Sequence, residues 1–207
     1  MPISNNRIIL TDVDGVLLEW EHHFTKWMLQ KTLFDVPIWI KEIDNFNQKK
    51  GRLDEELSKF PEVRNDTNTF SSNRNIQRDG LTQSFVNVLS KELLEFNTNL
   101  KKYKPNINEV FITDVWSVTY ERGDYQATHN HSSTGLSGIL QLESPTDGPS
   151  LNIIMPWNDW IDDTTRYYSV KYKVGTMVVM PSFLLHSSEP NLSNERKRVI
   201  SWDMRVE

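Results

Sequence analysis

The sequence predicts a mainly β fold with N-terminal helices (α+β): a sandwich or barrel preceded by a helical half. Three observations carry this. Before Tyr103 the apolar residues recur at helical spacing. After Tyr103 the period shortens, and runs rich in Val, Ile, Trp and Tyr follow at 110–120, 136–142, 151–155, 167–173, 176–180 and 198–206. Turn signals separate these runs: Arg-Gly-Asp at 122–124, Thr-Asp-Gly-Pro at 146–149, Val-Gly at 174–175 and Glu-Pro-Asn at 189–191. So many short strands in about a hundred residues fit two packed sheets or a closed barrel.

Each element has a local reason. Ile8–Leu10 is a β-branched run that suits a buried strand, with Gly15 in the turn after it. Residues 19–33 read as a helix whose apolar stripe is Trp20, Phe24, Trp27 and Met28. Residues 34–40 read as a strand or extended edge, because Pro37 argues against a central position. Leu53, Leu57 and Phe60 lie at helical spacing in the charged stretch 41–60. Residues 62–80 are polar and read as a loop, and Arg64, Arg74 and Arg78 make it a candidate lid. The strongest helix pattern is 81–101, with Leu81, Phe85, Val88, Leu89, Leu93, Leu94 and Phe96 mostly on one stripe.

Composition narrows the chemistry. The 207 residues carry 23 Lys and Arg against 28 Asp and Glu, a net charge of -5, which disfavours general nucleic-acid binding. The absence of Cys excludes disulfides, thiolate metal sites, iron–sulfur clusters and Cys nucleophiles, so any metal must be held by His, Asp or Glu. Seven Trp and nine Phe supply core area that a 37% hydrophobic content would otherwise lack. The sequence has no apolar run near the length of a membrane span and no basic-then-apolar leader. The expectation is a soluble, cytoplasmic protein with no membrane partner.

Of five histidines, His22 and His23 fall in the early helix, and His129, His131 and His186 fall in the β-rich half. His129 and His131 are two apart, which puts both side chains on one face of an extended segment. His186 follows the apolar strand around Val178–Met180 and is a candidate third ligand. Three ligands on one face of an octahedron leave three positions open, as a non-haem Fe(II) site that binds a chelating co-substrate and O₂ requires. Arg198 opens the last strand, where a guanidinium could pair with a carboxylate in the pocket. Arg196, Lys197 and Arg205 nearby make a charged strand end the alternative reading of Arg198.

With these residues in view, the stretch from about 34 to 207 resembles the 2-oxoglutarate/Fe(II)-dependent oxygenase superfamily, and within it the uncharacterised oxygenases of phage and bacterial genomes. The carriers are Leu33-Phe34 to Pro37-Ile38, Ser71-Ser72-Asn73, Trp116, Gly123-Asp124, His129-Asn130-His131, Leu136-Ser137-Gly138-Ile139, Gly175 to Pro181-Ser182 through His186, and Arg198 with Ser201.

The resemblance implies a double-stranded β-helix, a cupin-like jelly-roll barrel over residues 34–207, with 1–33 as an N-terminal extension. It implies Fe(II), 2-oxoglutarate and O₂, with oxidative decarboxylation to succinate and CO₂ coupled to oxidation, most simply hydroxylation, of a substrate. That substrate is a small molecule or a protein side chain. The location is the host cytoplasm if the gene is a phage's. His129 and His186 match the family's two histidine ligands. His131 stands where most of the superfamily has an aspartate, so either His131 is the third ligand or Asp124 or a water is; His131 is favoured. Arg198 matches the residue that binds the distal carboxylate of 2-oxoglutarate, with Ser201 and Tyr120 as further co-substrate contacts. Oligomeric state is open, a dimer among the options.

One motif lies outside that pattern. Thr11-Asp12-Val13-Asp14-Gly15 after an apolar strand resembles motif I of the haloacid-dehalogenase-like phosphatases, in which Asp12 and Asp14 would be nucleophile and acid/base. No later acidic pair completes it, so residues 1–33 are read as a remnant strand–helix without phosphatase activity. The alternatives to an oxygenase are a cupin-like three-His metal-binding protein and a non-catalytic jelly-roll interaction protein.

Overall fold

The computed structural model describes residues 9–11, 17–19, 36–68, 71–76, 81–146, 148–159, 161–171 and 173–207. They fall in two compact units, Met1–Val36 and Pro37–Glu207. In the first, β1 (Ile9–Thr11) and β2 (Leu17–Glu19) form an antiparallel ribbon with Leu10 opposite Leu18. Glu19 is therefore in a strand, where the sequence pattern suggested a helix beginning. The rest of that helix, together with Asp12 and Asp14, lies outside the described residues.

The second unit holds β3 (Trp39–Glu42), α1 (Phe46–Leu57), β4 (Glu62–Asn68), β5 (Ser71–Ile76), α2 (Leu81–Tyr103), β6 (Val110–Tyr120), β7 (Tyr125–His129), β8 (Leu136–Glu143), β9 (Leu151–Asn158), β10 (Thr165–Val170), β11 (Thr176–Pro181), β12 (His186–Ser188) and β13 (Lys197–Val206). All pairings are antiparallel, in the order β10-β9-β12-β7-β5-β6-β13-β8-β11-β3, with β4 on β5. Two runs of four, β6-β13-β8-β11 and β7-β12-β9-β10, are the two sheets of a jelly roll. β5 links them, pairing with β6 through Arg74–Thr119 and with β7 through Ser71–Gln126. The ladder ends at β10 and β3, so the described strands form an open double sheet rather than a closed barrel. β3 sits at that edge, as Pro37 suggested.

Within the polar stretch 62–80, read from sequence as a loop, residues 62–68 and 71–76 are strand. Most of it forms the hairpin β4–β5, whose ladder is made by backbone groups that need no apolar side chains. Nor is Arg64 a lid residue reaching over the pocket: its guanidinium grips Asp124 with two bonds of 2.7 Å.

Side chains alternate across β13, and this divides the molecule. Ile200, Trp202 and Met204 face α1 and α2 and join the main core with Leu53, Phe85 and Leu89. Val199 and Ser201 face the other way, into a cavity between the two sheets. α2 buries Leu81, Phe85, Val88, Leu89, Phe96 and Leu100, with a kink at Leu89 (φ -105°, ψ 16°). Leu94, expected on that stripe, is 67% exposed.

Gly138 on β8 lies opposite Trp202 on β13. A Cβ there would sit 2.0 Å from the indole. Trp202 is fully buried and backed by the Phe85 ring at 4.9 Å, so it has nowhere to retreat. Gly138→Ala is expected to destabilise the protein by about 2–3 kcal/mol through overpacking. The check is the urea midpoint; a wild-type midpoint would contradict this packing.

Candidate metal centre

β7 ends at His129, and the chain runs on two residues to His131. The β7–β12 ladder sets His186 directly opposite His129. The three rings therefore meet although they come from distant parts of the chain. Ring centres are 5.3 Å apart for His129 and His131, 4.4 Å for His129 and His186, and 5.1 Å for His131 and His186. One ring nitrogen from each lies within 4.8 Å of those of the other two.

The other nitrogens say which atom is available. Nδ1 of His129 faces the Ala127 carbonyl at 2.8 Å, and Nδ1 of His186 faces that of Leu184 at 3.0 Å. Nδ1 of His131 faces the Asp203 carboxylate at 2.6 Å. All three partners are acceptors, so each Nδ1 must carry the proton and donate. Each Nε2 is then an unprotonated lone pair, the form that binds a metal.

Burial supports the neutral state. Desolvation, and then the neighbouring His129, push the His186 pKa from 6.5 down to about 3. Desolvation also lowers that of His129. The unfolded chain takes up a proton at His186 near pH 6.5, and the folded chain only near pH 3. Stability is thus full above pH 6.5 and falls as pH drops through that window. The loss reaches a few kcal/mol at the lower end, because each tenfold difference in proton affinity is worth about 1.4 kcal/mol. Denaturation midpoints of the metal-free protein between pH 7.5 and 4 should show this loss. A flat profile would mean that His186 is not buried as described.

Around the imidazoles the cavity is lined by Trp116, Val118, Tyr120, Ile139, Val199 and Ser201, among others. Trp116 packs on His131 with ring centres 5.4 Å apart. Ser201 and Tyr120, both named from sequence, thus face the site. Arg198 does not. Its guanidinium lies on the helix side of β13, with Nε 3.3 Å from Ser117 Oγ and its terminal nitrogens 3.8 Å from Asp54 and 3.5 Å from Glu62. Asp124 is also elsewhere, held in its ion pair with Arg64.

Lys197, one residue before Arg198, was not singled out from sequence. It is fully buried, 2.5 Å from Ser188 Oγ and 4.8 Å above the Tyr120 ring. Ser188 and Tyr120 both line the cavity. Burial pushes the Lys197 ammonium well below its usual range, with Glu189 opposing. Burial and the charge of Asp124 push the Tyr120 phenol up, so it stays a neutral donor. The signal that finds Lys197 is alternation: 197, 199, 201 and 203 share one face of β13, and Ser201 already marked that face.

Residues 114–203 match the family model described as "Putative 2OG-Fe(II) oxygenase". That segment, which holds all three histidines, is similar to the 2-oxoglutarate/Fe(II) oxygenases. No curated protein matches its sequence. Solved structures share its fold. A prolyl-4-hydroxylase of Pseudomonas putida is 16% identical over 81% of this chain and 92% of that one, with a TM-score of 0.57. The viral collagen prolyl hydroxylase of Paramecium bursaria Chlorella virus-1, solved with 2OG, is 18% identical over 81% and 96%, with a TM-score of 0.53. The epimerase SnoN from nogalamycin biosynthesis, solved with Fe3+, alpha ketoglutarate and nogalamycin RO, is 12% identical over 81% and 78%, with a TM-score of 0.61.

The family that the segment matches is named for Fe(II) and 2-oxoglutarate, and the donor set fits the metal. Three imidazoles with Nδ1 committed offer three convergent Nε2 atoms, a set that Fe(II) accepts. Among the described residues no helix is long and apolar enough to cross a membrane.

Proposed function

We propose that this oxygenase hydroxylates an unactivated C–H bond of a peptide side chain or small molecule, with His129, His131 and His186 holding Fe(II). The solved structures it resembles include prolyl hydroxylases and an enzyme of small-molecule biosynthesis, and both substrate classes enter the proposal from there. The observation that supports the reading best is the convergence of three lone-pair imidazole nitrogens in the same cavity that Lys197's neighbours line.

When bound, Fe(II) with 2-oxoglutarate and O₂ supplies oxidative decarboxylation to succinate and CO₂, coupled to oxygen insertion into substrate. The chain's own residues do the rest. The Lys197 ammonium receives the distal carboxylate of 2-oxoglutarate, and the Tyr120 and Ser201 hydroxyls donate to it. Arg198, to which the family resemblance gives the anchor role, instead ties β13 to the carboxylates of Asp54 and Glu62. Trp116, Val118, Ile139, Leu151 and Val199 line the cavity with apolar groups that exclude water.

The test is succinate formation by full-length protein supplied anaerobically with Fe(II), then with 2-oxoglutarate and O₂. Slow, iron-dependent succinate release is expected even without the true substrate. Absence of both turnover and 2-oxoglutarate binding would favour the second reading, a three-His site for another metal, which the all-nitrogen donor set also suits.

A further inference from the structure

A site of three neutral imidazoles has one negative charge fewer than two histidines and a carboxylate. Asp203 stands one imidazole away from the metal position. We propose that Asp203 is a positioning residue that restores this charge through His131: it fixes the ring with Nδ1 protonated and Nε2 toward the metal, and places its carboxylate charge on the site without ligating. The proposal rests on the assignment of His131 as a metal ligand.

The geometry is specific. Asp203 Oδ1 accepts the His131 Nδ1–H at 2.6 Å and the Ser137 hydroxyl at 2.9 Å. Ser137 in turn shares a hydrogen bond of 2.8 Å with Ser182, and both hydroxyls are buried. The carboxylate is thus held from behind while it grips the ring. Asp203 is on the cavity side of β13, and the β13–β6 register slips between Asp203 and Met204. The extra residue is Thr113 on β6, while the β13–β8 pairing stays regular there and sets Asp203 opposite Ser137. Trp116 packs on the His131 ring and limits its rotation. Among the described residues, the candidate metal cluster contains His129, His131 and His186 and no carboxylate, so Asp203 acts at one remove. His129 and His186 have only backbone carbonyls at Nδ1. His131 alone of the three has a carboxylate there.

The experiment titrates full-length metal-free protein with Co(II), reading affinity by calorimetry and geometry from the visible absorption spectrum, and records ¹⁵N shifts of the imidazoles without metal. Wild type should bind one Co(II), and His129→Ala should not; if wild type binds none, the metal-site reading itself fails. Asp203→Asn keeps size and an acceptor oxygen but removes the charge. It should weaken Co(II) binding by about 10-fold, and Asp203→Ala by about 100-fold, with a changed spectrum. In the metal-free protein Asp203→Ala should shift His131, and not His186, from the Nδ1–H form toward a tautomer mixture. Wild-type affinity and spectrum in both Asp203 variants, with binding still lost in His129→Ala, would overturn the proposal. So would His131→Ala retaining affinity that Asp203→Ala loses, because Asp203 would then be the ligand.

Discussion

His186→Ala is expected to lower iron-dependent succinate formation by on the order of 10³-fold, about 4 kcal/mol. The His186 ring sits opposite His129 in the β7–β12 ladder and is 3% exposed. Removing it leaves two adjacent nitrogens and opens a position to water. Two imidazoles are too few to retain the ion, and the face of three that orients a chelating co-substrate is gone. The substitution should not unfold the protein. The hydrogen bond lost, from Nδ1 to the Leu184 carbonyl, is worth about 1 kcal/mol. It should also flatten the acid side of the stability profile, because the group that resists protonation has been removed. These two effects together separate loss of a ligand from loss of the fold. His186→Ala protein with wild-type turnover would remove the proposed metal site.

The histidine cluster was legible because its two parts leave local marks. A two-residue spacing of histidines in an extended segment fixes one face, and His186 follows an apolar strand. Strand β6 was equally plain, since its Val, Ile and Trp content decides the period. The hairpin β4–β5 was not legible, because Asn, Ser, Thr and Arg dominate it and its strand character comes from backbone pairing with β6 and β7. The facing of Lys197 and Arg198 was not legible for a related reason. β13 is covered on both faces, so Val199 and Ile200 are both buried and apolar, and the alternation that would show which residues face the cavity is erased. The contact between Asp203 and His131 spans 72 positions and leaves no local trace. It exists only because β13 runs beside β8, which sets Asp203 opposite Ser137 on the face that His131 approaches.

That ambiguity of facing gives the second large expected effect. Lys197→Met should raise the dissociation constant of 2-oxoglutarate by about 30-fold or more, while Arg198→Ala should leave it within about twofold. Both residues are cations on one strand, one position apart, so charge alone does not separate them; direction does. Burial disfavours an ammonium, and it already depresses the Lys197 pKa. A carboxylate arriving beside it relieves that penalty and forms a charge-assisted bond. Truncating one member of such a buried pair typically costs about 2–5 kcal/mol, roughly 30- to several-thousand-fold in affinity. Met preserves the length and apolar contacts of the stem, including its packing on Tyr120, so the loss would report the charge. Arg198→Ala should instead cost stability, because Asp54 and Glu62 lose their shared partner on the helix side of β13. Calorimetric titration of 2-oxoglutarate into Mn(II)-loaded variants, paired with urea midpoints of the same samples, reads both effects. The reverse pattern, with affinity lost in Arg198→Ala and kept in Lys197→Met, would return the anchor role to Arg198 and require β13 to present its other face to the co-substrate.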